Sequence, residues 1–264
     1  MVSYYIKEVT DSTKVRIEFK DNKGDLIRAF DTQPDDDKKE VKLKDIKSGG
    51  NRFVWDMRYP PASKFDGMIL WWASMQGPEA LPGNYKVKMT VNGETMEGEF
   101  DILKDPRSSM SLDDMQAKFD FLMKVRLKVS EAHEAITKMR SVKDQINQLI
   151  DRLKSDENMK DLIEQAKTIK DKISGVETAL YQTKNESRQD PLNYPIKLTN
   201  KLAHLNSLEG MSDFAPTEQS KAFRKEVTAK INDELAKWQH IQQKDIPKLN
   251  LLVKEKAIDA VILD

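Results

Sequence analysis

The sequence contains no cysteine. Disulfides, thiolate nucleophiles and cysteine-ligated zinc are therefore excluded. No apolar run approaches the roughly 20 residues that span a bilayer, so membrane insertion is not expected. Met1-Val2-Ser3-Tyr4-Tyr5 also lacks the basic segment followed by an apolar one that an export signal needs. Read literally, this predicts a soluble chain without a targeting segment; the alternative is that Met1 lies inside a longer polypeptide. An excess of one charge is missing too. Lys+Arg and Asp+Glu both number 44, with 17 basic and 19 acidic residues up to Asp105 and 27 and 25 beyond it. Neither part carries the positive field that nucleic acid or an anionic membrane surface would require.

Two periodicities fill the 264 residues, a length sufficient for two domains with separate cores. In the first hundred residues the apolar period is two. Val15, Ile17 and Phe19 alternate with charged neighbours, Asp21-Asn22-Lys23-Gly24 offers turn chemistry, and Leu26, Ile27 and Phe30 resume the apolar pattern, so the two runs read as a hairpin. Val41 and Leu43 begin another strand, Gly49-Gly50-Asn51 reads as a turn, and Phe53-Val54-Trp55 as the strand after it. Pro82-Gly83-Asn84 leads into Tyr85, Val87, Met89 and Val91. Asn92-Gly93 then turns the chain into Met96, Gly98, Phe100 and Ile102. About seven short strands predict an antiparallel β-sandwich of immunoglobulin or fibronectin type over 1–107.

Two groups of residues resemble known families. Val15-Arg16-Ile17-Glu18-Phe19-Lys20-Asp21-Asn22-Lys23-Gly24-Asp25-Leu26-Ile27-Arg28 resembles the first hairpin of the Ig-like domain of the flagellar hook-capping protein and of C-terminal modules of secreted bacterial proteins. Gly50-Asn51-Arg52-Phe53-Val54-Trp55-Asp56-Met57-Arg58-Tyr59-Pro60, with Pro82-Gly83-Asn84-Tyr85-Lys86-Val87 and Asp105-Pro106-Arg107, is similar to the C-terminal region of bacterial sortilin-like proteins, which are glycosyl-hydrolase-like propellers with neuraminidase-type repeats. The resemblance covers most of the chain, since such proteins continue from the Asp-Pro-Arg element into a helical segment. It implies a larger parent protein in the periplasm or outside the cell, with a propeller as an intramolecular partner. The propeller and its Asp-box repeats are absent from this sequence, so any hydrolytic activity implied by the family belongs to that part.

Beyond Asp105-Pro106-Arg107 the period changes to three and four. Ser111-Leu112-Asp113-Asp114 supplies an N-cap and a first turn with acidic residues. Met115, Phe119, Leu122, Val125, Val129, Ala132, Ile136, Met139, Val142, Ile146, Leu149 and Leu153 then form one stripe of nearly forty residues, roughly 60 Å of helix at 1.5 Å per residue. Ser155-Asp156-Glu157-Asn158 breaks it, and Met159 to Leu180 carries a second stripe. A short helix bears Leu198, Leu202, Leu205 and Leu208 and stops at Gly210. Ala215-Pro216-Thr217-Glu218 opens the last helix, with Phe223, Val227, Ile231, Leu235, Trp238, Ile241, Leu249 and Leu252 on its inner face and Pro247 expected to kink or interrupt it. The expectation for 108–264 is an up-and-down bundle of three to four helices with the apolar tail Ala257–Asp264 docked on it, giving an α+β protein of two domains.

Chemistry is sparse. No phosphate loop, Gly-x-Ser-x-Gly elbow, zinc motif or Rossmann fingerprint occurs, and no cofactor is expected. His133, His204 and His240 fall on three helices and read as surface or boundary residues without the ligand spacing of a metal bundle. Asp56 and Arg58 flank Trp55 and share a face, which favours hydrogen bonding to neighbouring elements over acid catalysis. Trp71 and Trp72 point to opposite sides if extended, so one enters the core and the other stays exposed, where with Tyr59 and Phe65 it would stack on a sugar ring; packing under the loop or against the helices is the other reading. The function expected is a non-catalytic structural or protein-interaction module that binds a partner or itself through the bundle. The alternative is a carbohydrate-binding accessory module using Trp71 or Trp72.

Overall fold

A computed structural model describes residues 1–36 and 38–258. It is a mixed α+β protein whose chain divides into two compact units, each assembled from separate stretches. The first comprises Met1–Ala62, Met75–Lys124 and Glu209–Pro216, and the second Ser63–Ser74, Val125–Leu208 and Thr217–Asp264. The division falls inside the long helix, between Lys124 and Val125.

Among the described residues seven strands build the first unit: β1 (Val2–Ile6), β2 (Val15–Lys20), β3 (Leu26–Asp31), β4 (Val41–Lys42), β5 (Gly49–Phe53), β6 (Gly83–Val91) and β7 (Glu94–Ile102). They form a two-stranded sheet, β1-β5, and an open five-stranded sheet in the order β4-β3-β2-β6-β7. Every pairing is antiparallel except the short parallel contact of β3 with β4. The period-two residues do what alternation demands. Val15, Ile17 and Phe19 are buried, while Arg16, Glu18 and Lys20 stand on the other face. Both sheets share one core, because Val2, Tyr4 and Ile6 of β1 and Phe53 of β5 pack with Ile17, Phe19, Ile27 and Phe30. Aromatic rings fill its centre. Phe19 stacks on Trp55 at 4.2 Å and 17°, and Trp55 meets Phe100 edge-on at 6.2 Å.

The expected turn at Gly49-Gly50-Asn51 is instead strand. These residues pair with Ile6, Tyr5 and Tyr4, and Asn51 accepts the Lys47 N–H at 2.9 Å and donates to the Lys47 carbonyl at 2.7 Å, so the turn lies one step earlier. Trp55 lies beyond the end of β5. Strand β1 has no clear sequence signature, since adjacent Tyr4 and Tyr5 blur its alternation.

Helices α1 (Leu112–Leu153), α2 (Lys160–Leu180), α3 (Leu198–Gly210) and α4 (Glu218–His240) follow, and α4 continues through a π-turn, Ile241–Asp245, into α5 (Ile246–Glu255). The N-cap expected at Ser111 is present, and Thr217 supplies a second where the last long helix was expected to open. Ser111 Oγ accepts the Asp114 N–H at 3.1 Å, and Thr217 Oγ1 accepts that of Ser220 at 3.1 Å. Pro247 neither ends nor breaks the last helix. The turn before it widens so that the Ile246 N–H reaches the Ile241 carbonyl, five residues back, which accommodates a residue with no N–H of its own. In the second unit α1 and α2 are antiparallel, because Arg140 pairs with Glu177 and Asn147 with Lys170, stepping in opposite directions along the chain. Val129, Ile136, Met139, Ile173 and Leu180 lie at the heart of this unit. Two residues of the expected helical stripes are exposed instead, Leu208 and Phe223. The tail expected to dock lies outside the described residues apart from Ala257 and Ile258. No helix among the described residues is long and apolar enough to cross a membrane.

Candidate functional site

Between β5 and β6 the chain runs without regular structure, yet its backbone is tightly held. Residues 57–62 and 75–80 form an irregular ribbon in the first unit. The N–H groups of Tyr59, Ala62 and Ala80 donate to the carbonyls of Pro78, Met75 and Met57 at 3.0, 2.8 and 2.7 Å. The approach is so close that a Cβ on Gly77 would lie 2.1 Å from the Tyr59 carbonyl oxygen, so only glycine fits.

Four of the singled-out residues belong to this ribbon and its entry. Trp55 is buried and donates its indole N–H to the Arg58 carbonyl at 3.3 Å. Asp56 accepts the Arg58 N–H at 3.1 Å, and its charge supports Arg28, whose guanidinium is pushed below its ordinary pKa by burial. Arg58 donates to the Gly77 carbonyl at 3.2 Å and pairs with Glu79. Tyr59 meets Phe119 edge-on at 5.1 Å, and burial, then Tyr85, Asp21 and Asp25, pushes its hydroxyl up to about 12.

Loop 63–74 leaves the ribbon at Ala62 and rejoins it at Met75. It belongs to the second unit, where side chains from three helices grip its backbone. Ser130 Oγ accepts the Ser63 N–H at 3.0 Å, and His133 Nδ1 donates to the Ser63 carbonyl at 2.7 Å. Arg140 donates to the Asp66 carbonyl at 3.3 Å. The Tyr181 hydroxyl, at the end of α2, accepts the Ile69 N–H at 2.8 Å. Asn200 closes on both backbone groups of Trp71, accepting its N–H at 2.7 Å and donating to its carbonyl at 2.8 Å. One turn on, His204 Nδ1 donates to the Trp72 carbonyl at 2.6 Å, and Asn206 to that of Ser74 at 2.9 Å. Irregular backbone normally leaves such groups to water.

Beneath the loop, Phe65 is buried. It meets His133 edge-on at 5.2 Å and Tyr181 at 4.9 Å, with the Arg140 guanidinium 4.5 Å from its centroid. Arg140 also donates to buried Glu177 at 2.7 Å, and Lys143 pairs with the same carboxylate. The buried charge is thus matched from two sides. His133 is fully buried, against the expectation of a surface or boundary residue; Nδ1 donates, Nε2 has no partner among the described residues, and burial holds the ring below its ordinary pKa, with the Ser63 carbonyl opposing. Its position was readable, because 129, 133 and 136 continue the apolar stripe of α1.

The product of this clamp is one presented side chain. Trp72 adopts φ +49° and is 70% exposed, while Trp71 is half-buried. A left-handed backbone costs a bulky residue roughly 1–2 kcal/mol, so surrounding bonds must hold it. The tryptophans lie in a bend, not a strand, and the side chains expected to gather do not form one cluster in the second unit, since Phe65 is spent in the core and Tyr59 belongs to the first. Asn200 and Asn206 were not singled out from the sequence, and His204, read there as a surface or boundary residue, fastens the loop instead; polar residues at helical spacing on α3 are the signal that marks them. Among the described residues no group of three or more His, Asp or Glu is placed to hold a metal ion. No protein-family model, curated protein or solved structure matches the chain.

Proposed function

We propose that this chain is a non-catalytic interaction module whose contact residue is Trp72. The observation that carries the reading is the strained, exposed tryptophan whose loop is fastened by Asn200, His204 and Asn206. A rigid aromatic anchor loses little entropy on contact and supplies a large apolar surface, the property that makes tryptophan common at binding hot spots. The residues of the sortilin-like motif support a scaffold role, because Trp55, Asp56 and Arg58 are engaged in holding the ribbon.

In this reading the sheet unit is an Ig/fibronectin-like sandwich and the helical unit an up-and-down bundle. Together they form the C-terminal appendage of a larger exported protein, with its propeller as the partner. The shared core of the two sheets favours the sandwich, and the antiparallel α1 and α2 favour the bundle. Titrating the propeller segment of the parent protein against this chain, with Trp72→Ala as the comparison, tests the reading. At least tenfold weaker binding of the variant is expected, and equal binding of both would remove Trp72 from the interface.

A carbohydrate-binding module is the second reading, favoured by the exposed indole face, which suits stacking on a sugar ring. Its test is intrinsic fluorescence with neutral and acidic oligosaccharides. A saturable change that Trp72→Ala abolishes supports it, and an unresponsive spectrum across the series removes it.

A further inference from the structure

The five-stranded sheet ends at β7, which is nine residues long with all but Phe100 and Ile102 exposed. Its hairpin with β6 closes through Asn92 and Gly93, both at positive φ, with Val91 opposite Glu94. In a two-residue hairpin the closing pair exchanges both hydrogen bonds, and bonded pairs recur at every second position. Glu94, Met96, Gly98, Phe100 and Ile102 therefore turn their N–H and C=O groups toward β6. Thr95, Glu97, Glu99 and Asp101 turn theirs outward, where no backbone bond among the described residues meets them.

The side chains of these same four residues lie on the face away from the core. On that face β6 and β7 carry opposite charge. Lys88 and Lys86 of β6 stand opposite Glu97 and Glu99 of β7, Lys88 reaching Glu97 at 3.8 Å, and Asp101 accepts from Asn84 at 3.2 Å. On the other face Met96 is 60% exposed, and Gly98 leaves a notch between it and Phe100.

We propose that β7 is a docking edge for an extended basic segment, one with lysine or arginine at alternate positions and apolar residues between. Such a strand pairs with the outward backbone groups of Thr95, Glu97, Glu99 and Asp101, sets its cations opposite the three carboxylates, and lays an apolar side chain over Gly98. Charged residues on an edge also guard against unwanted pairing, and here they act selectively. A second copy of β7 would place carboxylate opposite carboxylate, which cross-strand pairing disfavours, whereas a basic strand continues the alternation begun by β6.

The test uses the full chain and three nine-residue peptides: lysine alternating with valine, glutamate alternating with valine, and the lysine peptide with the backbone nitrogens of two lysines and two valines methylated, which keeps the charge but removes ladder donors whichever way the strand runs. The lysine peptide is expected to bind at least tenfold more tightly than either of the others and to protect the amides of Thr95, Glu97, Glu99 and Asp101 from hydrogen exchange. Glu99→Pro removes one outward N–H at an edge position and is expected to weaken binding at least tenfold. The Glu97→Lys, Glu99→Lys, Asp101→Lys variant leaves the backbone groups in place and is expected to invert the preference toward the glutamate peptide. Equal binding of the methylated peptide, an unchanged preference in the lysine variant, absence of the amide protection, or a dimer of the free chain that Glu99→Pro dissociates would overturn the proposal.

Discussion

Trp55 and Trp72 occupy the same irregular stretch between β5 and β6, and the protein treats them in opposite ways. Trp55 is satisfied through its side chain: the ring stacks on Phe19, the indole N–H has a carbonyl, and the residue is buried. Trp72 is satisfied through its backbone, with its carbonyl held by His204 and the residue before it held twice by Asn200, while the ring stays in solvent. A buried indole needs no clamp, because its own packing fixes the chain. An exposed one in a left-handed conformation gains nothing locally that would fix it, so helix side chains do so. The contrast separates an aromatic kept for stability from one kept for contact, although both belong to neighbouring segments rich in aromatic residues.

The largest effect that would sharpen this contrast is expected at Trp55. Trp55→Ala empties the centre of the sheet unit and should cost about 3–5 kcal/mol, read as a lower midpoint in denaturant for the β signal with the helical signal followed separately. A loss below about 1 kcal/mol would place Trp55 outside the core. Next comes the clamp. Asn200→Ala leaves both backbone groups of Trp71 without their partner and should cost about 1–3 kcal/mol, with faster hydrogen exchange at the Trp71 amide as its local signature. Unchanged exchange there would mean that Asn200 does not hold the loop.

The third effect is a pH dependence. His133 is held neutral by burial in the folded chain, so the unfolded chain takes up the proton first as pH falls through the ordinary histidine value near 6.5. Stability is therefore fully present above that value and declines below it, by up to about 1.4 kcal/mol per pH unit, until the folded ring also protonates. His133→Asn keeps a donor near the Ser63 carbonyl and removes the titration, so its unfolding midpoint should lose this component of the slope between pH 6.5 and 5. An identical slope in both proteins would assign the pH dependence elsewhere. Asp105, held down to about 2 by the side chain and then the backbone N–H of Arg107, titrates well below this window.

Much of the architecture was legible in the residues. The hairpins turning at Asp21–Gly24 and Asn92-Gly93, the cap at Ser111, the helix start at Ala215–Glu218 and the stripes of α1 and α2 all follow from local chemistry, and the structure has them at these positions. What the sequence hid depends on contacts between distant segments. The strand at Gly49–Phe53 exists because β1 pairs with it, and β1 has too little alternation to announce itself. Pro247 looked like an interruption because the π-turn that accommodates it has no signature of its own. Of the candidate site, the exposed member of the Trp71-Trp72 pair was legible as a possibility, but its selection was not: it depends on Asn200, more than a hundred residues away, gripping Trp71 on both sides. Phe65, expected beside the exposed tryptophan at the ring-stacking surface, is buried by His133, Tyr181 and Arg140, residues distant from it in sequence.

The smallest effect on stability bears most directly on the claim that Trp72 is kept for contact. Trp72→Gly relieves the left-handed backbone and removes a ring that packs little, so the unfolding free energy should stay unchanged or rise by up to about 1 kcal/mol. In the same protein, binding to the propeller segment, or to the oligosaccharide if that is the ligand, should fall at least tenfold. Measuring both quantities on one Trp72→Gly preparation is the decisive experiment: retained stability with lost binding is the outcome the account expects, and a stability loss above about 1 kcal/mol with binding intact would contradict it.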